Sequence, residues 1–120
     1  MVVYIDFDGV LFLEDGSFPG VGPPILGAAA AMTSLREAGC KIVIYSARAS
    51  RLIQPPKLRR QHRVRMVEAL RAAAIPYDEI HDLKPPYDVL IDDRVVTPVL
   101  RDWGTVLEEV WRIGPIKWIW

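Results

Sequence analysis

A single cysteine, Cys40, excludes an internal disulfide and any zinc site built on several thiolates. It stands beside Gly39 ahead of an apolar run, the setting of a small buried hydrophobe rather than of a reactive thiol. No apolar stretch approaches the roughly 20 residues that a membrane-spanning helix needs. Asp6 interrupts the apolar N-terminal segment too early for a secretory signal. Net charge is missing as well, since 15 basic residues offset 15 acidic ones. Bulk charge therefore gives no pull toward nucleic acid or an anionic membrane, and any such affinity has to be local. The expectation left by these absences is a protein of the reducing cytoplasm with no membrane partner.

What is present fits one compact domain over residues 1–120. Three short apolar runs are rich in β-branched residues: Val2-Val3-Tyr4-Ile5, Ile42-Val43-Ile44-Tyr45 and Val89-Leu90-Ile91. Unbroken runs, as opposed to alternating ones, indicate strands covered on both faces of a parallel sheet. Helical patterns lie between them. Pro23-Pro24 precede an apolar stripe through Ile25, Leu26, Ala29, Met32 and Leu35, and Gly39 suits the position just past the helix end. A second helix is expected over 57–73, with Val67, Leu70 and Ala74 facing inward. A third is expected over 105–113, where Thr105 and Glu108 have capping-box spacing and Gly114-Pro115 stops the helix. The predicted fold is a small doubly wound parallel α/β sheet in three layers, without a cap domain. Residues 10–18, with Asp15-Gly16 at the tip, read as a β-hairpin flap projecting from the end of the first strand.

In such a sheet, ligands bind beyond the carboxyl ends of the strands. The three apolar runs end in Asp6 and Asp8, in Ser46, and in Asp92 and Asp93, so topology gathers these groups at one edge. Four clustered carboxylates repel unless a cation sits among them. An all-oxygen site beside a phosphate points to Mg²⁺. Ser46 offers a hydroxyl and Lys84 an ammonium to an anionic substrate, while Arg48 and Arg51 lie just after Ser46, within reach of a substrate phosphate. These are the parts of phosphoryl transfer: positioning, charge neutralisation and an in-line nucleophile. Asp6 is a competent nucleophile, and Asp8 can serve as the acid and then the base.

The series Asp6-Phe7-Asp8-Gly9-Val10, Ser46, Lys84 and Asp92-Asp93 resembles the haloacid dehalogenase superfamily over positions 2–94. Any one motif is weak; all four in order are strong. The resemblance implies a phosphatase that passes through an aspartyl-phosphate on Asp6, with Asp8 as general acid/base and its backbone carbonyl on Mg²⁺. Ser46 and Lys84 would hold the phosphoryl group. Asp93 would be a direct metal ligand, and Asp92 a ligand directly or through water. Small phage- and bacterial-type members are similar through Lys84-Pro85-Pro86-Tyr87-Asp88. Capless members tend to act on large or exposed substrates, or to close their site by oligomerising.

The competing reading is a noncatalytic or receiver-like domain that only accepts phosphate on an aspartate. Receivers place their acidic pair first in the chain, whereas here Asp92-Asp93 comes last. The substrate candidates include a nucleotide, a polynucleotide end, a sugar phosphate and a phosphoprotein. The basic run Arg48, Arg51, Lys57, Arg59, Arg60, Arg63 and Arg65 reads first as a solvated helix face. His62 and His81 are expected at the surface, and Trp111 in the core. The tail Ile116-Lys117-Trp118-Ile119-Trp120 reads as a strand on the sheet or as the contact of a homodimer.

Overall fold

The computed structural model describes residues 1–84, 90, 92, 94–97 and 102–115. Three parallel strands form a sheet in the order β1 (Val2–Ile5), β2 (Lys41–Tyr45), β3 (Glu79–His81). Three helices accompany them: α1 (Ala28–Glu37), α2 (Pro56–Ala72) and α3 (Trp103–Ile113). The molecule is a small parallel α/β protein, as the alternation of runs predicts. Among the described residues no helix is long and apolar enough to cross a membrane.

The central strand explains why the sheet holds together. Ile42, Val43 and Ile44 of β2 are all buried, so both faces are covered, as an unbroken apolar run requires. β1 behaves differently. Ile5 enters the core while Val2 and Tyr4 stay exposed, and Tyr4 packs edge-on against Tyr45 and His81. β3 has only three residues and lies in a proline-bounded stretch where no strand is expected. It is anchored by Asp78, whose amide donates to the Ile42 carbonyl at 2.9 Å and whose Oδ2 accepts from the Ile42 amide at 2.7 Å. The strand expected over 89–91 falls at positions 89 and 91 outside the described residues; Leu90 is exposed and carries no regular structure.

α1 begins later than its prolines suggest, because Pro23 and Pro24 close a loop instead. The Leu13 amide donates to the Pro23 carbonyl at 2.8 Å, and Phe12 bridges Pro24 in antiparallel fashion. The expected hairpin over 10–18 is thus a wider loop whose stem joins 11–13 to 23–25. Asp15-Gly16 forms only a local turn within it, with Asp15 Oδ1 accepting from the Ser17 amide. A Cβ at Gly22 would overlap the Leu13 carbonyl oxygen, so only glycine permits this stem. α1 buries Ala28, Ala31, Met32 and Leu35, a stripe at helical spacing.

α2 turns His62, Met66 and Leu70 inward, four residues apart each time. Val67 is exposed, contrary to expectation, and so is Ala74, whose φ of 54° terminates the helix. The Ile75 amide bonds to the Leu70 carbonyl and the Ala74 amide to the Arg71 carbonyl, both at 3.0 Å. This closing pattern favours glycine at the left-handed position, since a β-carbon is strained there. Ala74→Gly should raise stability by about 1 kcal/mol, read as a higher urea midpoint with unchanged slope. A lower midpoint would contradict the assignment.

α3 is capped by Asp102, not by Thr105. Its Oδ1 accepts from the Thr105 amide at 2.9 Å and its Oδ2 from the Thr105 hydroxyl at 3.2 Å. These bonds hold the Asp102 carboxyl below the usual aspartate value. Val106 is buried, and Trp103, Leu107 and Val110 pack on the core, which leaves Trp111 exposed where burial is expected. Cys40 is buried and free. The tail over 116–120 lies outside the described residues.

Candidate functional site

The first half of the site forms where β1 ends. Phe7 is completely buried, and its amide donates to Asp6 Oδ1 at 2.7 Å. Its two acidic neighbours stay partly in solvent, the Asp6 side chain at 41% exposure and Asp8 at 25%. Gly9 then reverses the chain with a φ of 79°, and its amide reaches the Phe12 carbonyl at 2.7 Å. This positive φ is why glycine follows the second aspartate. Leu11 and Phe12 are carried straight back into the core.

The second half comes from the ends of β2 and β3. Ser46 is buried; its Oγ accepts from the Arg48 amide at 3.2 Å and caps a 3₁₀ turn over Ala47–Ala49. Lys84 follows β3 by three residues. It is only 8% exposed, and its Nζ lies 3.2 Å from Asp6 Oδ2 and 5.1 Å from the centre of the Tyr45 ring. An ammonium desolvated over an aromatic face is attracted by the ring quadrupole. Asp6 and Lys84 are therefore in direct contact, despite their distance in sequence.

Arg48 occupies a position that sequence does not predict. The sequence places it within reach of a substrate phosphate; in the structure it is 5% exposed, with its guanidinium turned to Asp8: Nε meets Oδ2 at 2.6 Å and Nη2 meets Oδ1 at 2.8 Å. Nη1 donates to the Pro19 carbonyl at 2.9 Å and Nη2 also to that of Gly20 at 2.8 Å. Phe18 lies 4.8 Å from the guanidinium carbon, and Phe7 5.6 Å from it. The physical reason is the wide loop, which brings two carbonyls to a fork that already has a carboxylate partner. Arg48 is thus a clamp joining the end of β1 to the loop over 13–23.

His62 also departs from expectation. It is 3% exposed, packs edge-on against Phe18 at 5.2 Å, and among the described residues its Nδ1 has no hydrogen-bond partner. It supports the loop from beneath. No sequence signal marks it, because histidine within a basic run reads as surface. Arg51, by contrast, is exposed and paired with Asp82 at 3.0 Å, an interaction that holds the Asp82 carboxyl below its usual value.

The metal half of the expected site is only partly within the described residues. Asp93 lies outside them. Asp92 is exposed, and its Oδ1 accepts from the Arg94 amide at 3.0 Å. Among the described residues no three acidic, histidine or cysteine side chains gather closely enough to hold an ion. The donors that are described, carboxylate and carbonyl oxygens with no thiolate or imidazole among them, suit a hard cation such as Mg²⁺.

No protein-family model matches the chain, and no curated protein does. Two solved structures are similar to it in fold. One is the crystal structure of a target protein from Vibrio cholerae, 24% identical, with a TM-score of 0.69 over 94% of this chain and 98% of that one. The other is a conserved protein from Bacteroides thetaiotaomicron, 21% identical, with a TM-score of 0.62 over 96% of this chain and 93% of that one. At these identities the likeness is one of fold: a small parallel α/β architecture shared nearly end to end with two bacterial proteins.

Proposed function

We propose that the chain is a magnesium-dependent phosphohydrolase of the haloacid dehalogenase type, with Asp6 as nucleophile. The observation that carries this reading is the contact between Lys84 Nζ and Asp6 Oδ2 at 3.2 Å, at the carboxyl edge of a parallel sheet. A phosphate dianion approaching a carboxylate meets repulsion. A buried ammonium beside that carboxylate offsets it and favours the more negative transition state.

Asp6 attacks phosphorus while the bond from phosphorus to the ester oxygen breaks. The leaving oxygen takes its proton from Asp8. Water then attacks the phosphorus, gives a proton to Asp8, and the bond to Asp6 breaks to release inorganic phosphate. Arg48 uses one lone pair on each Asp8 oxygen and leaves the others for this proton. Its role is to position Asp8. The Ser46 hydroxyl accepts from a backbone amide, so its own proton remains available for a phosphoryl oxygen. Mg²⁺, held by Asp6, the Asp8 carbonyl, Asp93 and Asp92, would neutralise phosphate charge when bound.

The alternative is a receiver-like or noncatalytic phosphate acceptor. The presence of a positioned Asp8 favours hydrolysis over acceptance, because a stable phospho-aspartate has no need of an acid/base beside it. The test is hydrolysis of an aryl phosphate in Mg²⁺. Turnover should appear with the metal, fall to background with excess chelator, and return when Mg²⁺ is restored. A protein inert toward a broad phosphoester panel in Mg²⁺ would favour the noncatalytic reading.

A further inference from the structure

Charge is unevenly spread along this neutral chain. Positions 48–71 hold eight of its 15 basic residues against a single acid, Glu68. The fold concentrates them further. Arg51, Arg59, Arg60 and Arg63 line a cleft of about 360 Å³ with Ala49 and Asp82. Arg60 also borders an adjoining hollow whose charged lining is Lys57, Arg65 and Glu68. The one acid in the cleft is already paired with Arg51, and Arg59 Nη1 donates to the Arg51 carbonyl at 3.0 Å. Among the described residues, Arg60 and Arg63 meet no carboxylate. Arg59 and Arg63 stand four apart on one helix, a like-charge spacing that weakens it. A surface built this way is complementary to an external anion.

Its position relates it to the candidate site. Ala49 closes the 3₁₀ turn that Ser46 caps, and Asp82 directly follows β3, two residues before Lys84. The cleft therefore starts at the sheet edge that carries Ser46 and Lys84 and continues along α2. We infer that it binds the phosphodiester backbone of a single-stranded polynucleotide whose phosphorylated end reaches Asp6. The part concerning the terminal phosphate rests on the proposed phosphohydrolase reading; strand binding by the arginines stands separately. Repetition selects this anion. Arg59 and Arg63 are about 6 Å apart along the helix axis and call for negative charge repeated along a chain, whereas a phosphopeptide offers it once or twice. Arginine forks suit phosphate oxygens. Among the described residues no large apolar side chain lines the cleft to anchor a peptide residue, and a groove tracking one backbone suits a single strand.

The test is fluorescence anisotropy of a labelled oligothymidylate without a terminal phosphate, titrated with the whole chain at several salt concentrations. Affinity should fall as salt rises, by about 0.7 in the log–log slope for each phosphate neutralised. The double variant Arg60→Gln/Arg63→Gln, confirmed as folded by circular dichroism, should bind at least about 10-fold more weakly and lose about 1.4 of that slope. Arg112→Gln, which removes one exposed charge from α3, should bind as the parent does. Absence of salt-sensitive binding would overturn the inference, as would binding that the double variant retains. Tighter capture of duplex DNA, inorganic polyphosphate or a phosphopeptide than of the single strand would overturn the choice of ligand. Since the probe carries no scissile monoester, this outcome is read independently of phosphatase activity.

Discussion

Asp6→Asn should abolish Mg²⁺-dependent phosphoester turnover, by on the order of 10⁴-fold or more, because it removes the attacking group of the proposed covalent route. The amide keeps the shape of the carboxylate and can still accept from the Phe7 amide through its oxygen. It cannot attack phosphorus with comparable strength, and it no longer offers negative charge to Lys84 or to a cation. The fold should survive, since the side chain is 41% exposed and the core packing of Phe7 is untouched. Circular dichroism and the urea midpoint check this alongside the rate. A folded Asn variant that retains more than about a tenth of parental turnover would remove Asp6 from the role of nucleophile.

Arg48→Ala should give the largest loss of stability among single substitutions in the site. The guanidinium is almost fully buried and makes four hydrogen bonds, two to Asp8 and two to loop carbonyls. Its removal leaves a partly buried carboxylate and two carbonyls without this donor, at a cost of about 2–4 kcal/mol, since water reaches Asp8 and offsets part of the full penalty. Arg48→Lys keeps the charge but not the fork, so its loss should fall between alanine and the parent. Urea unfolding at neutral pH measures all three. A change of less than about 0.5 kcal/mol for alanine would mean that the clamp contributes nothing to the fold.

Sequence and structure agree where long patterns dominate and part where a few residues decide. β1 and β2 are legible because β-branched apolar runs have few other uses. β3 is not, because three residues between proline-containing segments carry no periodicity, and it is parallel pairing with Val43–Tyr45 of β2, anchored at Asp78, that makes a strand of them. The stem of the wide loop is hidden for a related reason. Asp15-Gly16 is the stronger local turn signal, yet the pairing partner of Phe12 is Pro24, fixed by the close approach that Gly22 permits. In the site, the order Asp6, Asp8, Ser46, Lys84 can be read directly from the chain, and the structure brings Lys84 to Asp6 and links Asp8 to Ser46 through Arg48. The burial of Arg48 and His62 was not legible. Both are polar residues in a polar-looking run, and only the folded loop supplies the carbonyls and the aromatic ring that accept them.

One guanidinium holds both the loop carbonyls of Pro19 and Gly20 and the side chain of Asp8, the acid/base of the proposed mechanism. Widening the mouth for a bulky ligand and keeping the acid aligned are therefore not independent adjustments. A ligand that pries this loop away from Arg48 also loosens Asp8.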